Sequence, residues 1–234
     1  VYMLTFKNRV VFCADATVNF DPDADALEEI TRHTAELARS FNVEPRAALL
    51  SYSNFGSVDT DATRAPREAA SRLRNDPTVE FPVDGEMQAD TAVVEDILEG
   101  TYEFSDLDDP ANVLVFPNLE SGNIAYKLLH RLGSAEAIGP MLVGMDKPVH
   151  VLQRGDEVKD IVNLAGVAVV DAQHEDYPPR GDLVSRHDAL VGSVVARRRR
   201  IDEQRVDEHR RADEAGRNDR EGWRHAEQPG DDAQ

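Results

Sequence analysis

The stretch Val113 to Gly133, V-L-V-F-P-N-L-E-S-G-N-I-A-Y-K-L-L-H-R-L-G, constrains the fold more than any other part of the chain. Val113, Leu114, Val115 and Phe116 form a short apolar run with β-branched character, and Pro117 ends it because proline cannot donate to a sheet ladder. Ile124, Leu128 and Leu132 then recur at helical spacing, with Ala125 and Leu129 beside them, and Gly133 stands where a left-handed cap is expected. The pattern predicts a buried strand, a tight polar loop and an amphipathic helix. In the loop, Ser121-Gly122-Asn123 offers an N-cap hydroxyl and a residue without a side chain. A helix start of this kind leaves backbone N–H groups ready to hold a phosphate or carboxylate. A serine that only caps its helix satisfies the same pattern.

Strands and helices alternate around that unit. Val10 to Ala14 is a strand ending at Asp15, and Asp21-Pro22 opens a helix with Leu27, Ile30, Leu37 and Phe41 on one face. Ala47 to Ser53 is the next strand, running into Asn54-Phe55-Gly56-Ser57. Pro66 opens a short helix through Leu73. Val79 to Val83 reads as a strand with a turn at Asp84-Gly85, and Asp90 and Thr91 as caps of a helix through Leu98. Met141 to Val143 and Val149 to Leu152 are apolar runs joined by a turn at Asp146-Lys147-Pro148. The last strong element, Asp156 to Gln173, is apolar nearly all round, as a helix buried between layers would be. This order predicts a three-layer α/β/α domain with a largely parallel sheet over residues 1–173.

After Gln173 the composition changes. Residues 174–234 contain no lysine, carry Arg197 to Arg200 in a row and offer almost nothing to bury beyond Ile201. They read as a charged, Arg-rich tail of low order. The formal net charge of the whole chain is −19, which argues against nonspecific binding to nucleic acid or to anionic membranes. With only Lys7, Lys127, Lys147 and Lys159 as lysines and carboxylates spread throughout, the acidity reads as an adaptation to high salt. An acidic patch for a basic partner is the alternative. Cys13 is the single cysteine, so no disulfide framework is expected. With no membrane span or signal segment visible, the expectation is a cytoplasmic protein.

Several constellations could carry chemistry. Asp84, Glu86 and Asp90 suit a hard cation by type, but Asp-Gly is ordinary turn chemistry and no metal is expected. The histidines show no H-E-x-x-H spacing. Gln153-Arg154-Gly155 followed by Asp160 is the most chemical arrangement, with a guanidinium suited to phosphate oxygens and a carboxylate in the first turns of a helix. Asp160 is a candidate general base, or a helix-start carboxylate stabilised by the macrodipole.

Taken together, these stretches resemble the phosphate acetyl/butyryltransferase family. The resemblance rests on A-D-A-T-V-N at Ala14 to Asn19, E-P-R-A-A-L-L-S-Y-S-N-F-G-S at Glu44 to Ser57, V-D-G-E-M-Q-A-D at Val83 to Asp90, A-N-V-L-V-F-P-N-L-E-S-G-N-I-A-Y-K-L-L at Ala111 to Leu129, and G-P-M-L-V-G-M-D-K-P-V-H-V-L-Q-R-G at Gly139 to Gly155. S-N-F-G-S and D-G-E-M-Q-A-D look most like the transacetylase-like C-terminal domain of NADP-type malic enzymes. The resemblance implies a phosphotransacetylase-like fold of the isocitrate/isopropylmalate dehydrogenase type, incomplete at its N-terminal side.

It also implies catalytic roles for Asp160 and Arg154, with Asn118, Ser121, Gly122, Gln153 and Arg154 lining a coenzyme A site and no covalently bound cofactor. Family transferases carry a serine where Gln153 stands, and they have roughly another domain's worth of chain before Val10. The implied function is an acetyl-CoA-sensing regulatory domain of a malic enzyme, inactive by itself. An active phosphate acyltransferase and a ligand-free oligomerisation module are the alternatives. Expected partners are an acyl-CoA or acyl phosphate, and either a second copy or the missing N-terminal half.

Overall fold

The computed structural model describes residues 1–145, 147–153 and 155–173. The elements are β1 (Tyr2–Thr5), β2 (Val10–Ala14), α1 (Ala24–Ser40), β3 (Ala47–Leu50), α2 (Asp61–Asn75), β4 (Val83–Met87), α3 (Ala89–Val93) and α4 (Glu95–Thr101). They continue with β5 (Val113–Val115), α5 (Leu119–Leu132), β6 (Glu136–Ile138), β7 (Met141–Leu142), β8 (Val149–His150) and α6 (Val158–Gln173). Six strands form one sheet in the order β4-β3-β5-β2-β1-β6, and β7 and β8 form a separate antiparallel pair.

Strands β4, β3, β5 and β2 are mutually parallel, while β1 runs antiparallel to both its neighbours. Parallel strands joined by helical crossovers are covered on both faces, so each reads as a nearly unbroken apolar run. Alternate residues feed the two faces. Phe12, Leu49, Val113 and Val115 pack with Leu27, Leu73 and Leu164 of α1, α2 and α6. Val11, Cys13, Ala48 and Leu114 pack with Leu98 and Tyr126 of α4 and α5. Helices thus cover both faces, and β5 lies inside the sheet with all three residues buried, as its sequence predicts.

Elsewhere the structure differs from the local reading. The Asp84-Gly85 pair is not a turn but lies inside β4. Gly85 has φ +144° and approaches β3 so closely that a Cβ would sit 2.7 Å from the Leu49 carbonyl oxygen. There the register slips, Leu49 pairing with Gly85 but Leu50 with Met87, which is how a bulge uses glycine. Helix α1 is capped by Asp23, whose carboxylate accepts from the Ala26 amide at 2.9 Å, and not by Asp21.

Helix α2 begins one turn before Pro66. The Thr60 amide donates to Thr63 Oγ1 at 3.1 Å, so a threonine pair, not the proline, starts it. Residues Asp90 and Thr91 fall within α3 and do not cap it. Strands β1 and β6, absent from the local reading, extend the sheet beyond β2.

Gly133 has φ −81°, so it is not a left-handed cap. It is needed for space, because a Cβ there would lie 2.5 Å from the Leu129 carbonyl oxygen. The apolar stripe of α5 is turned outward as well. Gly122 and Tyr126 are buried, whereas Ile124, Leu128 and Leu132 are exposed, Leu132 by 80 %. Helix α6 buries Leu164 and Val167 but exposes Val158, Ile161, Val162 and Val169. The 174–234 tail lies outside the described residues.

Candidate carboxyl-edge site

Because β4, β3, β5 and β2 are parallel and adjacent, the loops that follow them gather along one edge, where sheets of this class hold ligands. Two of these loops are built around a buried carboxylate. After β2, the Asp15 carboxylate accepts from the backbone amides of Thr17 (2.7 Å), Val18 (3.1 Å) and Asn19 (2.7 Å), and from the Asn19 side-chain amide (2.8 Å). These bonds satisfy the carboxylate and lock the loop. After β3, the Glu86 carboxylate of neighbouring β4 accepts from Ser53 Oγ (2.8 Å), the Gly56 amide (2.9 Å) and Arg67 Nε (2.9 Å). Its side chain is fully buried. Burial alone would raise its pKa, but the Arg67 guanidinium and the Gly56 and Ser53 donors outweigh that and hold it below the usual carboxylate range. Asn54 completes this corner, accepting from the Gln88 amide at 2.7 Å and donating to the Tyr102 hydroxyl at 3.0 Å.

Asp84 and Glu86 are therefore consumed by structure. Asp84 accepts from Ser105 Oγ and the Asp106 amide, each at 2.9 Å, and pairs with Arg74 at 3.2 Å. Among the described residues no group of three or more His, Cys, Asp or Glu is placed to hold a metal ion.

Helix α5 starts at the same edge, and its cap is Asn118, not Ser121. Asn118 Oδ1 accepts from the Ser121 amide at 2.9 Å, and the Ser121 hydroxyl donates back to the Asn118 carbonyl at 2.9 Å. The cap lies three residues upstream because Asn118 has the extended backbone that an N-cap needs. Gly122 rests on the Asp15 backbone, where a Cβ would collide with the Asp15 carbonyl oxygen. The Asn123 side-chain amide donates to the Ala16 carbonyl at 3.2 Å. Asn118, Ser121 and Gly122 thus sit together, facing the loop after β2.

Of the remaining sequence-predicted residues, Gln153 lies on the turn before α6 and Asp160 in the first turn of that helix. The Gln153 amide donates to Asp156 Oδ2 at 2.5 Å, and the Asp156 amide returns to the Gln153 carbonyl at 3.2 Å. Arg154 lies outside the described residues. Asp160 forms the reciprocal start of α6, its carboxylate accepting from the Glu157 amide at 3.0 Å while its own amide donates to the Glu157 carbonyl. Asp160 thus stands in the first turn of α6, where the sequence places it.

A connection between the turn and α5 was not visible in the sequence. The Gln153 side-chain amide donates to the Tyr2 hydroxyl. Tyr2 stacks on Tyr126 of α5, with centroids 3.9 Å apart and planes 12° from parallel. Lys127 Nζ donates to the Tyr126 hydroxyl at 3.0 Å. Burial, and the hydrogen bond to Tyr126, push the Tyr2 pKa up. Burial would also raise Tyr126, but hydrogen bonds from Lys127, Tyr2 and Gln153 outweigh it and hold that phenol below the usual tyrosine range. Tyr126 lies four residues beyond Gly122, about 6 Å along the axis, and Tyr2 pairs with Cys13 near the end of β2. Asp15 carried a partial local signal, a carboxylate at a strand end followed by threonine and asparagine. Tyr2 carried none.

Comparison with known proteins gives consistent results. The family described as phosphate acetyl/butaryl transferase matches residues 1–169. The NADP-dependent malic enzyme of Escherichia coli (strain K12) is 47 % identical over 164 residues, 69 % of this chain and 21 % of that protein. The phosphate acetyltransferase of Bacillus subtilis (strain 168) is 41 % identical over 166 residues, 71 % of this chain and 51 % of that protein. The EutD phosphotransacetylase from Staphylococcus aureus superposes with a TM-score of 0.68 at 34 % identity, over 73 % of this chain and 53 % of that one. This chain therefore spans about a fifth of the malic enzyme and about half of the transacetylases.

Proposed function

Since this chain belongs to the phosphate acetyl/butaryl transferase family, we propose that it binds an acyl-CoA at the carboxyl edge of its sheet as the acetyl-CoA-sensing, regulatory domain of a malic enzyme. The domain is phosphotransacetylase-like and homologous to both malic enzyme and phosphate acetyltransferase. The regulatory reading is supported chiefly by Gln153. It replaces the serine that the resemblance implies for transferases, and its side-chain amide is spent on Tyr2. A carboxamide has no hydroxyl to offer coenzyme A, and this one is engaged with Tyr2. In this reading Arg154 meets anionic oxygens of the ligand, and the Asn118–Gly122 helix start, beside the loop after β2, offers its backbone amides to the ligand. An acyl-CoA or acyl phosphate is the small-molecule partner, and no covalent cofactor is involved.

The 41 % identity to an acetyltransferase favours one second reading, that of an active phosphate acyltransferase. There Asp160 would take the proton from the coenzyme A thiol, the thiolate would attack the carbonyl carbon of the acyl phosphate, and phosphate would leave with the electron pair of the broken C–O bond. Arg154 would stabilise the charge developing on phosphate.

Two measurements on the intact chain separate these readings from a ligand-free assembly module. Calorimetric titration with acetyl-CoA should show binding that Arg154→Ala abolishes, and an assay of coenzyme A thiol consumption with acetyl phosphate should show no turnover. Turnover that vanishes in Asp160→Asn would establish the transferase reading instead. No binding of either ligand would leave assembly as the function.

A further inference from the structure

Acidic residues outnumber lysine and arginine in this chain by 45 to 26, so a cation without a carboxylate partner is informative. At the carboxyl edge Arg67 is taken up by Glu86 and Asp59. Lys127 is held differently. Among the described residues no carboxylate pairs with it. Its exposed side chain instead donates from Nζ to the Tyr126 hydroxyl at 3.0 Å, with the ammonium 4.9 Å from the centroid of the Tyr126 ring. That ring is a rigid base, because Tyr126 and the Tyr2 ring stacked on it are only 5 % and 4 % exposed. A protonated phenol is a neutral acceptor. The tie therefore fixes the ammonium while leaving its charge uncompensated and two of its three N–H groups for another partner.

The fold sets where this charge stands. Side chains on a helix lean back toward its N-terminus, so Tyr126 and Lys127 reach toward the Asn118–Gly122 start. Thr17, in the loop after β2, lies against the Tyr2 hydroxyl, and Gln153, on the turn before α6, is hydrogen-bonded to both tyrosines. The ammonium thus stands beside the loop and the turn that border the edge. The Asp15 carboxylate of that loop is already satisfied by the Thr17, Val18 and Asn19 amides and the Asn19 side chain, so it does not draw the lysine in.

We propose that Lys127, held by the Tyr126 phenol, is a binding residue whose ammonium takes a phosphoryl oxygen of the ligand at the carboxyl edge. This rests on the reading that an acyl-CoA or acyl phosphate binds there, and it requires no other cation. The phosphoryl oxygen belongs either to the diphosphate of the coenzyme or to the phosphate of an acyl phosphate. An uncompensated ammonium in a strongly acidic chain is a local positive potential that draws in an anion. Its bond to a phosphoryl oxygen is charge-assisted, and a lysine already tied to a rigid ring loses less freedom on binding than a free one. Tyr126 is a positioning residue and touches no ligand.

The test uses the intact chain, unaltered and as Lys127→Met, with calorimetric titration of acetyl-CoA, acetyl phosphate and inorganic pyrophosphate at low and high salt. Lys127→Met should weaken binding about tenfold or more, as loss of a hydrogen bond to a charged group does. It should also flatten the fall of affinity with salt, because the removed attraction is screened by ions. A loss confined to acetyl-CoA and pyrophosphate places the ammonium at the coenzyme diphosphate, and a loss that includes acetyl phosphate places it at the acyl phosphate. Either supports the proposal. Acetyl-CoA bound equally well by Lys127→Met would overturn it and leave the acyl-CoA reading standing. Weaker binding with an unaltered salt dependence would overturn it too, since a packing contact would then explain the loss. Pyrophosphate binding that needs Lys127, in a chain that binds neither acetyl-CoA nor acetyl phosphate, would bring down the acyl ligand reading and keep the anion site. No binding of any of the three would bring down both.

Discussion

Gly122 of α5 lies directly on the backbone of Asp15, whose carboxylate organises the loop after β2. The contact sets the distance between a helix start and a strand end, the two features that form the carboxyl edge. A Cβ at this position meets backbone, which cannot rotate away. Gly122→Ala should therefore push α5 outward and destabilise the fold by about 1–3 kcal/mol, the usual cost of overpacking. Urea denaturation checks this, and an unchanged midpoint would show that the helix shifts freely.

The two hydroxyl and amide groups at the α5 start separate by mutation. Asn118→Ala removes the cap bond to the Ser121 amide and should cost about 1 kcal/mol. Ser121→Ala removes only a hydroxyl that donates to the Asn118 carbonyl and should cost less. The same denaturation series reads both, and the reverse order would restore Ser121 as the cap.

Acid should act through Glu86. Its folded pKa is depressed by Arg67, Gly56 and Ser53 against the opposing effect of burial. The stability it contributes is therefore present above the ordinary glutamate pKa and is lost as pH falls through the folded value. Glu86→Gln should lower stability at pH 7 by about 2–4 kcal/mol, because it leaves Arg67 without its buried partner, and should flatten the acid limb of the stability profile. Thermal melts between pH 7 and pH 3 would show it. A variant whose melting point still falls as steeply with acid would place the titrating group elsewhere.

Alkaline titration addresses Tyr126. Hydrogen bonds from Lys127, Tyr2 and Gln153 lower its pKa in spite of burial. Ultraviolet absorbance should therefore show one phenolate appearing before the pH of an ordinary tyrosine, about 10, and Lys127→Met should move that step upward. A depressed acid contributes stability that grows as pH rises through its folded value and is complete above the unfolded one, so Lys127→Met should remove stability on the alkaline side.

The outer side of α6 carries Val158, Ile161, Val162 and Val169, with Val158 exposed by 77 %. Apolar residues gathered on one helix face favour association. Sedimentation at rising concentration should show self-association, and Ile161→Glu with Val162→Lys should suppress it. A well-behaved monomer at every concentration would contradict this expectation.

Much of the architecture is legible in the sequence. Val113 to Phe116 between a polar turn and a proline can only be a buried strand, and the repeated alternation of such runs with amphipathic helices dictates an α/β sheet covered on both faces. The place of Asp160 in the first turn of a helix was also legible, because a helix start is set by neighbours three or four residues away. What the tertiary structure alone decided is partnership across the chain. Asp84-Gly85 resembles a turn until β3 approaches closely enough to need a glycine inside a strand. The stripe of α5 resembles a core face until Gly122 and Tyr126, its smallest residue and its aromatic one, are found against the sheet. Glu86 resembles a metal ligand until Arg67, Ser53 and Gly56 claim its oxygens. Gln153 gains its meaning only when Tyr2, 151 residues away, is brought beside it. Local periodicity records which residues prefer to be buried, but which two buried groups meet is set by strand order and register, and those emerge only when the whole sheet closes.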